Sequence, residues 1–232
     1  MKKILVFTAT YNEKENIKKL ITLIFKHYSN AHVLIVDDNS PDKTAEEIEL
    51  LKNEFKNISL IKRDSKLGLD TAHKFAYKYA LDKGYDYLIT MDADLSHDPA
   101  ELTNFISSLE TYPFVIGSRY APGGKCLMKG RRLLMSKYGN ILIKLVLRIN
   151  CNEFTTSYRG FDLKKLGSFN LDTVKASGYS FFMKTIFEIS KRKIEIKEIP
   201  ITFKDRSQGY SKLPRIEIFR TLLNLFLLIL KK

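Results

Sequence analysis

The sequence predicts an α/β fold: a mostly parallel, doubly wound sheet with helices on both faces. Three observations predict it. Short apolar runs such as Ile4-Leu5-Val6-Phe7 and Val33-Leu34-Ile35-Val36 are bounded by turn-formers and too short for helices, the mark of strands buried on both faces. Between them, apolar residues fall at helical spacing, as in Ile17, Leu20, Ile21, Ile24 and Phe25. Strand and helix then alternate, which requires crossover helices and parallel pairing. In such a sheet, ligands bind at the carboxyl ends of the strands.

Taken in order, strand 4–7 leads into a polar turn at Tyr11-Asn12-Glu13 and the first amphipathic helix. Strand 33–36 ends in Asp37-Asp38-Asn39-Ser40-Pro41-Asp42, and helix 43–55 and strand 58–62 follow. A loop holding Leu67-Gly68-Leu69-Asp70 precedes helix 71–83 and the central strand 86–91. Pro99 opens helix 100–110, then strand 113–117 runs into Gly117-Ser118-Arg119-Tyr120 and a flexible loop at Pro122-Gly123-Gly124-Lys125. Segment 131–147 is amphipathic and basic, and reads either as a core helix with solvated lysines or as a helix at a membrane face. Helix 177–191 packs against the sheet, and strand 194–203 carries Pro200, which places it at an edge. A turn-rich loop, 205–212, precedes a strongly apolar helix, 215–230. No repeat or linker divides the chain, so residues 1–214 form one domain and 215–232 a terminal helix suited to a membrane surface.

The central strand ends in Asp92-Ala93-Asp94-Leu95-Ser96-His97. Alternation along a strand sends Asp92 and Asp94 to one side, where two carboxylates suit Mg²⁺ or Mn²⁺ held jointly with substrate phosphates. The alternative is a solvated strand end in which Asp94 and Ser96 cap the helix that Pro99 begins. The carboxyl ends of strands one, two and four bring Tyr11 and Glu13, Asp37 and Asp38, and Asp92 and Asp94 to one rim. No G-x-G-x-x-G or Walker-type loop is present, which excludes those two nucleotide sites.

A formal net charge of +13 implies an anionic partner: nucleic acid, an acidic membrane face or phosphorylated ligands. Nucleic acid is the weakest of the three, since no zinc-finger or RNP-like motif appears. Cys126 and Cys151 form no metal or C-x-x-C spacing and read as structural thiols of a reducing compartment. No run reaches about 18 apolar residues, so no transmembrane helix is expected.

These stretches together resemble family 2 glycosyltransferases of the GT-A fold, most of all the polyprenyl-phosphate (dolichyl-phosphate) mannosyltransferases. Thr10-Tyr11-Asn12-Glu13-x-x-Asn16 is similar to that group's opening motif, and Val36-Asp37-Asp38-Asn39-Ser40-Pro41-Asp42-x-Thr44 to its second. Leu67-Gly68-Leu69-Asp70-Thr71-Ala72, Met91-Asp92-Ala93-Asp94-Leu95-Ser96-His97, Gly117-Ser118-Arg119-Tyr120 and Phe203-x-Asp205-Arg206-x-x-Gly209-x-Ser211-Lys212 complete the set in order. The resemblance implies that Ala9, Tyr11, Glu13, Ile35, Asp37, Asp38, Ala93, Arg119, Arg206 and Lys212 hold the nucleotide-sugar donor. It implies Asp92, Asp94 and Ser96 as metal ligands for Mg²⁺ or Mn²⁺. It likewise implies that Asp94, Arg119 and Arg206 carry the chemistry and that Arg119, Arg132 and Ser136 receive the acceptor phosphate. Three residues depart from the pattern: Ala9 where proline is usual, Asp70 where a small residue is common, and Ser157, in Thr156-Ser157-Tyr158-Arg159, where glycine is usual.

The implied reaction is inverting transfer of a hexose, mannose from GDP-mannose, to a polyprenyl (dolichyl) phosphate. An anionic acceptor needs no strong general base, whereas a hydroxyl acceptor needs a carboxylate. The only nearby candidate, Asp162, reads as structural. The absence of Trp excludes the Gln-x-x-Arg-Trp motif of processive synthases. The rivals are a UDP-glucose-type donor, a hydroxyl acceptor, an inactive scaffold of the same fold and a nucleic-acid binder. The expected setting is peripheral, at the cytoplasmic face of a membrane, with a small anchoring partner.

Overall fold

The computed structural model describes residues 2–204 and 223–226. In chain order its elements are β1 (Ile4–Thr10), α1 (Lys14–His27), β2 (His32–Asp37), α2 (Thr44–Leu51), β3 (Ile58–Lys62), α3 (Leu69–Asp82) and β4 (Tyr87–Thr90). A 3₁₀ turn at Pro99–Glu101 then leads to α4 (Leu102–Leu109), β5 (Phe114–Ser118), β6 (Lys125–Cys126), α5 (Gly130–Leu147), β7 (Arg159–Asp162), α6 (Tyr179–Lys191), β8 (Ile196–Pro200) and β9 (Thr202–Phe203). Seven strands form the main sheet in the order β3-β2-β1-β4-β7-β5-β8, and β6 pairs with β9 in a small second sheet.

Strand alternation explains the two-sided core. Leu5, Phe7, Leu34, Val36, Leu88 and Phe114 face α3, α5 and α6 through Ala76, Ile143 and Phe182. Their sequence neighbours Ile4, Val6, Val33, Ile35, Ile89 and Val115 face α1, α2 and α4 through Leu20, Ile48 and Phe105. Burying each large side chain contributes about 1.5–3 kcal/mol. The order of β2-β1-β4 creates the crevice of a doubly wound sheet: the chain leaves β1 towards β2 on one side and returns to β4 on the other.

Several features differ from the sequence expectation, among them β6, which forms at Lys125–Cys126 where a flexible loop is expected. Residues 159–162, to which the sequence assigns no element, form β7, which runs antiparallel between β4 and β5. Its four residues are all buried, but Arg159, Gly160 and Asp162 break the apolar run that marks a buried strand. Segment 194–203 is two strands, because Ile201 falls between β8 in the main sheet and β9 in the small one. As Pro200 predicts, β8 is an edge strand of the sheet. Helix α2 ends at Leu51 rather than at residue 55. Of the terminal helix, only 223–226 is described; this turn is helical, buries Leu225 and donates a bond from Asn224 Nδ2 to Ser180 Oγ of α6 at 3.0 Å. The rest of 215–232 lies outside the described residues.

Candidate active site

The first loop of the rim is held by the second. Backbone N–H groups of Asn12, Glu13 and Lys14 donate to Ser40 Oγ, Thr44 Oγ1 and Asp42 Oδ2 at 3.0, 3.0 and 3.1 Å. The Asn-Ser-Pro-Asp-x-Thr run therefore caps α1 from a neighbouring loop, satisfying amides that would otherwise lack partners. Asn12 and Asn39 both take left-handed backbone angles, φ 57° and 59°, which asparagine tolerates.

Asp37 and Asp38 divide the work. Asp37 is buried and accepts bonds from Thr10 Oγ1 (2.7 Å), Ser40 N (2.9 Å) and Ser40 Oγ (2.5 Å), clamping the ends of β1 and β2 together. Asp38 accepts Arg63 Nη1 at 3.0 Å and Gly68 N at 3.1 Å, the latter made available by the positive φ of Gly68 (93°). Arg63, absent from the sequence reading, also reaches Thr71 Oγ1 at 2.8 Å. Beside this network Lys66 Nζ stands 4.1 Å above the Tyr11 ring. Ala9 is half-buried at this rim, Glu13 is bonded by Asn16 Nδ2 at 2.8 Å, and Ala93 is buried. The Ile35 side chain is fully buried in the core on the α1 face, which leaves only its backbone near the rim.

At the end of β4, Asp92 and Asp94 each spend one oxygen on a serine. Ser157 Oγ donates to Asp92 Oδ1 at 2.5 Å, and Ser96 Oγ and N donate to Asp94 Oδ1 at 2.6 and 3.1 Å. Leu95 makes that turn by adopting φ 63°, a strained value for leucine costing about 1–3 kcal/mol. Ser96 is buried and its hydroxyl braces Asp94. Among the described residues no group of three or more His, Cys, Asp or Glu is placed to hold a metal. Two carboxylates that leave further positions to other oxygens fit Mg²⁺ or Mn²⁺ held with substrate phosphates.

Arg119, at the end of β5, is tied to a residue the sequence reading missed. Its Nε and Nη2 donate to Glu153 Oε2 and Oε1 at 2.6 and 2.7 Å, and Nη2 also reaches Thr155 Oγ1 at 2.7 Å. Burial works to raise the Glu153 pKa, yet the Arg119 charge and the hydrogen bonds hold it below the usual carboxylate range. Gly124 permits the turn behind Arg119, since a Cβ there would lie 2.5 Å from the Ser118 carbonyl oxygen. A cavity of about 320 Å³ adjoins, lined by Arg119, Tyr120, Lys137, Asn140, Lys144 and Asn152 among others. Ser136 takes a bond from Tyr120 Oη at 2.7 Å, and Arg132 is exposed on the same helix. Asp162 is a turn-former, accepting Lys164 N and Lys165 N at 3.0 and 2.9 Å, so it stays structural although it lies in a strand.

The small sheet ends against the Asp92–His97 turn. Lys204 N donates to the Ser96 carbonyl at 3.2 Å, and the Phe203 ring lies 4.9 Å from the Arg119 guanidinium. Arg206 and Lys212 lie outside the described residues.

This fold, with paired carboxylates at the carboxyl rim of a mostly parallel sheet, is that of a GT-A-type glycosyltransferase. The chain belongs to glycosyl transferase family 2, whose family model matches residues 5–169. It is 32% identical over 212 residues to an undecaprenyl-phosphate mannosyltransferase of Micrococcus luteus, covering 91% of this chain and 87% of that one. It is 34% identical over 214 residues to a polyprenol monophosphomannose synthase of Mycolicibacterium smegmatis, covering 90% and 80%. Among solved structures, it matches a Pyrobaculum calidifontis mannosyltransferase in complex with GDP-Man and Mn²⁺ at TM-score 0.65 and 20% identity, covering 100% of this chain and 65% of that one. It matches glucosyl-3-phosphoglycerate synthase from Mycobacterium tuberculosis in complex with UDP at TM-score 0.67 and 15% identity, covering 98% and 80%. These two likenesses establish the shared fold.

Proposed function

We propose that this glycosyltransferase moves mannose from GDP-mannose to a polyprenyl phosphate, of which dolichyl phosphate is one form, inverting the anomeric centre. The observation that carries this reading is the similarity, over about nine-tenths of the chain, to two relatives named for polyprenyl-phosphate mannose synthesis. The site chemistry supports it. Glu153 is locked to Arg119 and Asp162 to a turn, so neither serves as a base for a hydroxyl acceptor, whereas a phosphate acceptor is already anionic.

Asp92 and Asp94 would hold Mg²⁺ or Mn²⁺, which when bound neutralises charge developing on the nucleoside diphosphate. Tyr11, Asp38 and the Arg63 network face the nucleotide. Arg119 with Arg132 and Ser136 lies on the acceptor side, beside the cavity whose Lys137 and Lys144 add positive charge. Arg206 and Lys212 are assigned to the donor phosphates, and Lys204 starts their segment beside Ser96. The lipid acceptor implies work at a membrane surface, on its cytoplasmic face and with a small anchoring partner. No helix among the described residues is long and apolar enough to cross a membrane. Exposed Leu134, Met135, Tyr138, Ile141, Leu142 and Leu145 on α5, rimmed by Arg131, Arg132 and Lys137, support a peripheral contact.

The test is incubation with radiolabelled nucleotide sugars and polyprenyl phosphate, followed by butanol extraction. Label from GDP-mannose should enter the organic phase only with divalent metal. Extraction of label from UDP-glucose alone, or transfer only to soluble hydroxyl acceptors, overturns the reading.

A further inference from the structure

Ser157 stands where the family resemblance leads one to expect glycine, and it is the residue that touches the first metal carboxylate. It is buried, and its hydroxyl donates to Asp92 Oδ1 at 2.5 Å. Its carbonyl accepts the Thr90 hydroxyl at 2.5 Å, so the last residue of β4 pins it in place. The residue before it reinforces the bracket. Thr156 Oγ1 lies 3.2 Å from His97 Nε2, while His97 Nδ1 accepts the Asp92 backbone N–H at 3.1 Å. With Nδ1 accepting, the imidazole is neutral and its proton sits on Nε2, directed at Thr156. The 3.8 Å approach of His97 Nδ1 to Asp92 Oδ2 is therefore a contact of two acceptors, not an ion pair. His97 holds the Asp92 backbone and Ser157 holds one carboxylate oxygen. The other oxygen belongs to a side chain that is 36% exposed.

We propose that Ser157 is a positioning residue that makes Asp92 a one-oxygen ligand, raising the site's affinity for Mn²⁺ or Mg²⁺ and its discrimination against Ca²⁺. This rests on the reading of Asp92 and Asp94 as the metal carboxylates. Small octahedral cations take single oxygens at short, near-ideal angles, whereas Ca²⁺ accepts more ligands and chelates both oxygens of one carboxylate. The Ser157 hydrogen bond occupies one lone pair of Oδ1 and fixes the rotation of the carboxylate, which favours Oδ2 as the single donor. Glycine or alanine at 157 removes the donor and frees the carboxylate to rotate. Losing such an outer partner typically weakens metal binding about 10–100-fold.

Mn²⁺ binding to the full chain, read by the EPR signal of free Mn²⁺ with and without GDP, tests this alongside thermal melting and Ca²⁺ competition. Ser157→Gly and Ser157→Ala should raise the Mn²⁺ dissociation constant about tenfold and narrow the preference for Mn²⁺ over Ca²⁺. Ser157→Thr, which keeps the hydroxyl, should restore both. Unchanged Mn²⁺ affinity in folded glycine and alanine variants overturns the proposal and leaves the metal reading intact. A wild-type chain that binds no Mn²⁺ under either condition overturns the metal reading and this proposal with it. Should the small variants fail to fold, Ser157→Cys preserves the volume with a much weaker donor, and wild-type affinity in that variant is equally fatal.

Discussion

Glu153 and Arg119 show how a single partner changes the reading of a residue. Arg119 alone reads as a mobile cation; bonded twice to a fully buried carboxylate, its guanidinium is held in one place beside the cavity and also orders the loop before β7. Removing one member of such a pair leaves a buried charge without compensation. Glu153→Gln should therefore cost about 3 kcal/mol, seen as a lowered urea midpoint; a loss under about 1 kcal/mol would show that solvent compensates Arg119. Asp94 makes the opposite case. Asparagine there keeps an oxygen for Ser96 to bond, so Asp94→Asn should stay within about 1 kcal/mol of wild-type stability while abolishing transfer. Full activity in that variant, or of wild type in excess EDTA, would remove Asp94 from the chemistry. Asp94 is 5% exposed, so this tolerance comes from the retained acceptor and not from a surface position.

At the level of elements, α5 is the one whose role the sequence left open between core and membrane face. The structure buries only Asn140, Ile143 and Leu147 of its 18 residues. Leu134, Tyr138, Ile141 and Leu145, spaced at helical intervals, form an outward stripe, with Leu145 68% exposed. Periodicity reveals that a helix has a stripe, but not which of two stripes the sheet will cover. Here Asn140 goes inward because its Oδ1 accepts Phe154 N at 2.7 Å. Replacing Leu134, Ile141 and Leu145 together with serine should reduce sedimentation with anionic liposomes severalfold while leaving the melting temperature near wild type, since exposed apolar residues contribute little to folding. Collapse of stability would instead mark the stripe as covered.

Across the whole molecule, burial sets the acid response. His73 lies among Phe7, Phe181 and Phe182, with ring centroids 5.0, 6.0 and 5.1 Å away. Burial, aided by the nearby Arg159 charge, lowers its pKa from 6.5 to about 3. Between those values the unfolded chain binds a proton that the folded chain refuses, so the contribution is complete above pH 6.5 and shrinks as pH falls. From pH 6.5 to 4 this amounts to on the order of 3 kcal/mol. Burial lowers His97 and His32 as well, so His73→Phe should lessen the loss of stability at pH 4 without abolishing it. An identical pH profile in the variant would show that His73 titrates normally in the fold.

The sequence by itself determined the alternating α/β order, the helices on both faces, the edge position at Pro200 and the gathering of Tyr11, Asp38, Asp92 and Asp94 at one rim. Each of these follows from local period and chain direction, which short runs of residues display. Only the tertiary structure decided what long-range pairing controls. It placed β7 antiparallel between β4 and β5 although its sequence breaks the apolar pattern. It gave Glu153 to Arg119 across 34 residues and Ser157 to Asp92 across 65. Those contacts leave no periodic trace, because a lone serine or glutamate in a loop reads as solvated until the sheet order brings its partner to it.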